Sequence, residues 1–245
     1  MLLRLKIIVK IRENIRIKGS NMISIIIPTY NEEKNIRKIQ KKLSTLKGDF
    51  EVIFCDGGSS DQTLELIEEK YIVLNSPKGR ANQMNYGSKY AKGEILFFLH
   101  CDSIIEDDVL LKIENSIDDK YQVGCLTLEF DNAILWMKIC AIMSNLRVKF
   151  RKIAFGDQGI FIKKDLFEEI GGMPDLPIME DFELSLRLRR KKYYFKQIDS
   201  KIITSSRRFT NNGIFKTMYK MQKLQLQYLC GRNIDDINKE YRDIR

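Results

Sequence analysis

The chain has 245 residues, 44% of them apolar, which suffices for one large α/β domain and leaves no stretch beyond the leader of about 18 uninterrupted apolar residues for a membrane span. Its net charge of +9 is concentrated at the amino terminus, where Arg4, Lys6, Lys10, Arg12, Arg16 and Lys18 face Glu13 alone; the small excess elsewhere argues against a nucleic-acid partner. Five scattered cysteines without a CxxC pair exclude a zinc ribbon and fit a reducing, cytoplasmic compartment.

The leader, residues 1 to 21, interrupts each apolar run with a charge, so it reads neither as a signal peptide nor as a spanning helix. Three readings stay open: an upstream start with Met22 as initiator, a surface strand or helix, or a basic arm touching a membrane. From Met22 onward, short apolar runs alternate with helical patterns. The chain order predicts a strand over 23–28, a helix over 32–43 with Ile36, Ile39 and Leu43 on one face, and a strand over 50–56. A helix over 61–69, a strand over 71–75, a helix over 81–91 and a strand over 94–99 follow. This is the signature of βαβ units around a mostly parallel, Rossmann-like sheet flanked by helices. One domain is expected over 22–232, with residues 233–245 as a C-terminal helical tail.

In such sheets ligands bind beyond the carboxyl ends of the strands. Polar residues gather there: Pro28 to Glu32, including Tyr30; "DGGSSD" from Asp56 through Ser59 to Asp61; Lys78 and Arg80; and His100 to Asp102. The glycines and serines of "DGGSSD" free backbone N–H groups, while Asp56 can accept from a base or ribose. Asn31 and Asp61 are also read as N-caps of the helices that follow them. Lys78 and Arg80, at the mouth of a helix, suit a diphosphate or merely form a solvated basic turn. Asp102 would repel a diphosphate unless a divalent cation, Mg²⁺ or Mn²⁺, lay between them. His100 is a candidate contact to the nucleotide or metal, or a hydrogen-bonded structural residue. Strand alternation points Cys101 the other way, into packing.

Farther on, Gly171 and Gly172 close a helix, and a proline-bracketed loop leads to Glu180 and Asp181. A hydroxyl nucleophile needs a base as it attacks, and a carboxylate is suited to take its proton, although an acidic pair can also just open a helix. Arg207 and Arg208 match phosphate oxygens or form a surface salt-bridged pair. The stretches 133–150 and 214–229 are amphipathic, as core helices or as an apolar lip for a lipid-linked acceptor or an anionic membrane face.

"SIIIPTYNEEKNI", "VIFCDGGSSDQT", "KGRANQMNYGSKYAKGEILFFLHCD", "GDQGIFIKKDLFEEIGGMPDLPIMEDFELSLRLRR" and "SSRRF" stand in the order of one family. Over residues 22 to 232 the chain resembles the large family 2 of inverting nucleotide-diphospho-sugar glycosyltransferases, closest to a small bacterial subgroup with His, here His100, in place of the first Asp of DxD. The resemblance implies a GT-A fold and a metal-assisted single displacement from a nucleotide sugar, by default a UDP-sugar, to a hydroxyl acceptor. It implies that Pro28, Tyr30, Glu32, Asp56, Ser59, Arg80, His100, Asp102 and Arg208 bind the donor, with Asp102 on the metal. It places Asp157, Gln158 and Glu180 on the acceptor side and makes Asp181 the base. A cytoplasmic enzyme, peripheral on the inner membrane face in one reading, is expected. Two alternatives are a sugar-phosphate nucleotidyltransferase, which would need a glycine-rich loop that "IPTYNEEKN" lacks, and a non-catalytic nucleotide-sugar or glycan-binding module.

Overall fold

A computed structural model describes residues 21–132 and 134–242, except the side chains of Arg208 and Arg242. The leader, residues 1 to 21, lies outside the described residues apart from its last residue. The first strand, β1 (Ile23–Thr29), pairs in parallel with β2 (Phe50–Asp56) on one side and β4 (Ile95–Phe98) on the other, and β3 (Ile72–Asn75) extends the sheet beyond β2. Beyond β4 the direction changes: β7 (Phe161–Lys163) runs antiparallel to both β4 and β6 (Val123–Phe130). β8 (Lys196–Thr204) pairs in parallel with β6, and the short β5 (Ile104–Ile105) closes the edge. The eight strands lie in the order β3-β2-β1-β4-β7-β6-β8-β5.

Strand alternation sorts the core into two layers. Ile25, Ile27, Phe54 and Phe97 face one side, where α1 (Glu33–Leu43) contributes Ile36, Ile39 and Leu43 and α3 (Val109–Glu114) contributes Val109 and Ile113. Ile26, Ile53, Leu96 and Phe98 face the other, against α2 (Arg80–Tyr90), α4 (Leu135–Arg151), α5 (Lys164–Glu169) and α6 (Glu180–Arg190). Gly87 lets α2 approach this closely, since a Cβ there would meet Cys55 Sγ at 2.6 Å and Ile26 Cγ2 at 2.7 Å.

A third cluster lies off the sheet. Phe182 and Leu186 of α6 pack with Leu224 of α8 (Ile214–Leu229) and Ile237 of α9 (Ile234–Arg242), while Leu184 and Leu188 of the same helix belong to the sheet layer. The short α7 (Arg207–Asn212) leads from β8 into α8. No helix among the described residues is long and apolar enough to cross a membrane.

The expected strands and the helices at 32–43 and 81–91 are present within a residue or two. The helix expected over 61–69 is not: these residues form turns. The buried Gln40 of α1 accepts from Glu68 N at 2.7 Å and donates to Leu66 O at 2.9 Å, claiming backbone groups that a helix would pair with itself. Asp61 therefore has no helix of its own to cap. One carboxylate oxygen accepts from Thr63 N at 3.0 Å within its turn and the other from Glu33 N at 3.3 Å, so it caps α1 from across the chain. Desolvation pushes the Asp61 pKa up, but the hydrogen bonds from Thr63 and from Glu33 N together outweigh it and hold the value below the ordinary one. Asn31 is not that helix's cap either. It sits at a left-handed φ of 53°, and its side chain accepts from Ser60 N.

Candidate active site

Because β1, β2 and β4 are parallel and adjacent, their carboxyl ends open onto one edge, where the loops after Thr29, Asp56 and Phe98 meet. The loop after β2 is shaped by Asp56. Its buried carboxylate accepts from Gly58 N at 2.8 Å, Ser59 N at 2.9 Å and Ser59 Oγ at 2.5 Å, filling most of its acceptor capacity. Ser59 Oγ in turn accepts from Asn31 N at 2.9 Å, binding this loop to the one after β1. Gln83 of α2, which sequence reading passed over, donates to both Thr29 O and Cys55 O at 2.7 Å and so fixes the spacing of the two strand ends. A buried amide in the first turn of a sheet-facing helix is the signal that would have found it.

Pro28 is part of β1, and Glu32 receives a hydrogen bond from Asn35 at 2.6 Å. Tyr30 is exposed and carries Lys78 on it: the ammonium is 2.9 Å from the phenol oxygen and 4.0 Å from the ring centroid. Asp102 is exposed at the end of the β4 segment, while Cys101 is buried in the core, as alternation required. Burial, with Glu32 and Asp102 nearby, pushes the Cys101 thiol pKa well up.

The second half of the site comes from remote sequence. Asn85 of α2 grips the loop before α6, donating to Met173 O and accepting from Met173 N, each at 2.7 Å. Met179, at a left-handed φ of 66°, then turns the chain into α6. This presents Asp181, whose Oδ2 accepts from Gly156 N at 2.8 Å and whose Oδ1 accepts from Phe182 N at 2.7 Å. A Cβ on Gly156 would stand 3.2 Å from His100 Nε2 and 3.6 Å from Asp181 Oδ2, so the histidine after β4 and the carboxylate of α6 converge on one glycine.

Glu180, one residue earlier, is buried and bound to the half-buried Arg80 at 3.1 Å. Burial raises the Glu180 pKa, the adjacent Asp181 charge adds to the rise, and Arg80 opposes both. For Arg80, burial works against the cation, but Glu180, Tyr241 and Asp181 outweigh it and keep its pKa above the ordinary value. The pair thus ties α2 to α6 across the cleft, and α9 brings Tyr241 into its field.

Asp157 and Gln158 lie in a single 3₁₀ turn, Gly156–Gln158, beside Asp181. Facing them is Arg147 of α4, also missed by sequence reading. It donates to Gln158 Oε1 at 2.8 Å and to Ile153 O at 3.3 Å, and its guanidinium lies 3.8 Å from the Phe155 ring centroid. Burial lowers the Arg147 pKa, with Asp157 and Asp181 pulling it back up. The other face of the amide is unusual: Gln158 Nε2 is buried with no hydrogen-bond partner. Arg207 starts α7 and is exposed, and the Arg208 side chain lies outside the described residues.

The donor set at Asp102 fits a divalent cation only in part. No group of three or more His, Cys, Asp or Glu side chains among the described residues is arranged around a metal. One exposed carboxylate is compatible with a hard cation that draws its remaining oxygens from a diphosphate and water. A cavity of 310 Å³ lined by Lys92, Glu94 and Lys163 lies at the opposite end of β4 and takes no part in this site.

Comparison with known proteins bears on the same architecture. The mannosyltransferase PcManGT from Pyrobaculum calidifontis, solved with GDP-Man and Mn²⁺, superposes with a TM-score of 0.59 at 17% identity over 75% of this chain and 56% of that one. Staphylococcus aureus TarS 1-349 in complex with UDP gives 0.59 at 20% identity over 75% of this chain and 60% of its own. These are GT-A structures, and the likeness shows that fold. Among curated relatives, the probable glycosyltransferase YdaM of Bacillus subtilis is 24% identical over 76% of this chain and 50% of its own length. The UDP-Glc:alpha-D-GlcNAc-diphosphoundecaprenol beta-1,3-glucosyltransferase WfgD of Escherichia coli is 32% identical over 41% of this chain and 44% of its own. The chain spans half or less of the length of these relatives. The family model for glycosyl transferase family 2 matches residues 24–171, more than half of the chain and the whole run of strand-end loops; the chain belongs to glycosyl transferase family 2.

Proposed function

We propose that the chain transfers a sugar from a nucleotide-diphosphate donor, by default a UDP-sugar, to a hydroxyl acceptor with inversion at the anomeric carbon. The observation that carries this reading is the placement of Asp181 beside His100 and Gly156, across the strand ends from the Asp56 loop. A base so placed can remove the acceptor proton from one side of the sugar while the nucleoside diphosphate leaves from the other. As the acceptor oxygen bonds to the anomeric carbon, the bond from that carbon to the phosphate oxygen breaks. The acceptor proton passes to the Asp181 carboxylate, and the bonding electrons leave with the diphosphate. Gly156 N and Phe182 N hold the two oxygens of Asp181 and fix its direction.

On the donor side, the loops bearing Pro28, Tyr30, Glu32, Asp56 and Ser59 form the wall for base and ribose. Asp56 and Ser59 serve there chiefly by holding the loop shape, since their hydrogen bonds are already made within it. Lys78, Arg80 and Arg208 supply the positive charge for the diphosphate. Asp102, with His100 as its neighbour, would hold Mg²⁺ or Mn²⁺, which when bound neutralises charge on the leaving diphosphate. PcManGT, the Mn²⁺-bearing neighbour, supports that part of the reading. Asp157 would line the acceptor side, with the buried Gln158 and Glu180 behind it, and the name of WfgD supports a lipid-linked acceptor. The use of nucleotide sugars and the scattered, unpaired cysteines support a cytoplasmic location.

The test is thermal stabilisation by UDP- and GDP-sugars with and without Mn²⁺, followed by donor turnover. We expect metal-dependent stabilisation by one nucleotide class, slow release of free sugar, and loss of the metal dependence in Asp102→Ala. Binding without turnover would favour a non-catalytic module. Unchanged metal dependence in Asp102→Ala would remove that residue from the metal.

A further inference from the structure

We propose that the outer faces of α4 and α8 form a docking surface for an anionic lipid membrane. On α4, Leu135, Ile142, Met143, Leu146 and Phe150 stand at i, i+7, i+8, i+11 and i+15, one face of a helix, and all are exposed. That face lies opposite the one carrying Met137, Ala141 and Val148 inward. On α8, Phe215, Tyr219 and Leu226 repeat the pattern at i, i+4 and i+11, again exposed, while Thr217 and Leu224 point inward. Leu135, Phe150 and Tyr219 are 68 to 72% exposed, which is unusual for side chains of this size. The two stripes join where Trp136 meets Phe215 edge to face at 4.8 Å. Scattered apolar side chains need no explanation, but a joined pair of stripes does.

The charge of the two helices selects the occupant. Neither contains an aspartate or a glutamate, whereas α4 carries Lys138, Lys149 and Arg151 besides the inward Arg147, and α8 carries Lys216 and Lys220 besides Lys223, which pairs with Glu240 of α9. By contrast α1, α6 and α9 carry both signs. Aromatic and aliphatic groups flanked by basic residues alone are what an interfacial helix presents to anionic headgroups and the acyl boundary beneath them. A self-complementary dimer would be expected to interleave acidic partners among so many lysines. The inner side of the same α4 holds Arg147 against Gln158, so a membrane under this face would lie next to the acceptor end of the cleft. The inference does not depend on the donor chemistry proposed above.

The experiment is co-sedimentation of the full chain with vesicles of phosphatidylcholine alone and of phosphatidylcholine with phosphatidylglycerol in equal parts, at low and high salt. The expected result is binding to the anionic vesicles, weakened by salt. The ratio of bound to free chain should fall about tenfold in Phe150→Glu/Leu226→Glu and in Lys138→Glu/Lys216→Glu, with unfolding temperature unchanged because all four positions are exposed. Absence of binding by the parent chain, equal binding to both vesicle types, or unimpaired binding by Phe150→Glu/Leu226→Glu would overturn the proposal. So would a dimer in light scattering that the same variant dissociates, which would make the face an interface between copies. None of these readouts involves a nucleotide sugar, so a failed transferase assay leaves the result intact.

Discussion

On the donor side of the cleft, Asp56 commits its carboxylate to two backbone amides and a hydroxyl of its own loop. On the opposite side, Glu180 is buried beside Asp181 with a raised pKa, and Arg147 is buried with a lowered one. The first arrangement satisfies a charge with neutral donors and hardens a loop. The second holds like charges close together, leaves Gln158 Nε2 without an acceptor and balances the rest through two arginines. Sites that perform proton chemistry are where such unrelieved electrostatics are found, whereas binding walls can relax to full satisfaction. The contrast predicts that donor-side changes cost stability and binding, and that changes across the cleft cost turnover.

The largest effect is expected at Asp181. Asp181→Asn keeps the hydrogen-bonding shape and removes the basicity, so turnover should fall by roughly 10² to 10⁴ with nearly unchanged donor affinity. Near-normal turnover in that variant would pass the role of base to Glu180 or Asp157. Arg147→Met comes next. It removes the cation that faces Asp157 and Asp181, and turnover should fall by about tenfold with donor affinity kept. An equal loss of donor affinity would reduce Arg147 to a packing role.

Asp56→Ala sharpens the other half of the comparison. It frees the amides of Gly58 and Ser59, and we expect a stability loss of about 1–3 kcal/mol in urea titrations together with weakened nucleotide binding. Unaltered stability would show that the loop does not need its carboxylate. A smaller effect attends Glu180. Because its pKa is raised in the folded chain, the stability it contributes is complete below the unfolded glutamate range, near pH 4.3, and is lost as pH rises through the folded value. Glu180→Gln should therefore flatten the decline of unfolding temperature as pH rises above the unfolded glutamate range; an unchanged decline would show that Glu180 does not set it. The smallest effect is expected on starting the chain at Met22, which should leave unfolding temperature and turnover unchanged.

The contrast also explains what was legible in the sequence. Strands β1, β2 and β4 were visible because each alternates between two buried layers, and their polar carboxyl ends announced the donor loops. Asp181 is singled out only by the resemblance, because an acidic pair by itself reads as a helix start, and both acids do stand in the first turn of α6. The helix expected over 61–69 failed because Gln40, 26 and 28 residues from the groups it binds, takes that segment's backbone groups, a contest no local pattern records. Gln83, Asn85 and Arg147 went unnoticed for a related reason. Each is one polar residue on an otherwise ordinary helix, and its importance lies in which backbone group or side chain it reaches across the fold. The reversal of direction at β7 is likewise a tertiary choice of a three-residue strand.

The central claim, a single displacement with Asp181 as base, is tested most directly by the stereochemistry of the released sugar. With water as acceptor, proton NMR of a metal-loaded reaction followed before mutarotation should show the anomer opposite to that of the nucleotide-sugar donor. Release of sugar with the donor's own anomeric configuration would contradict the account and require a retaining route.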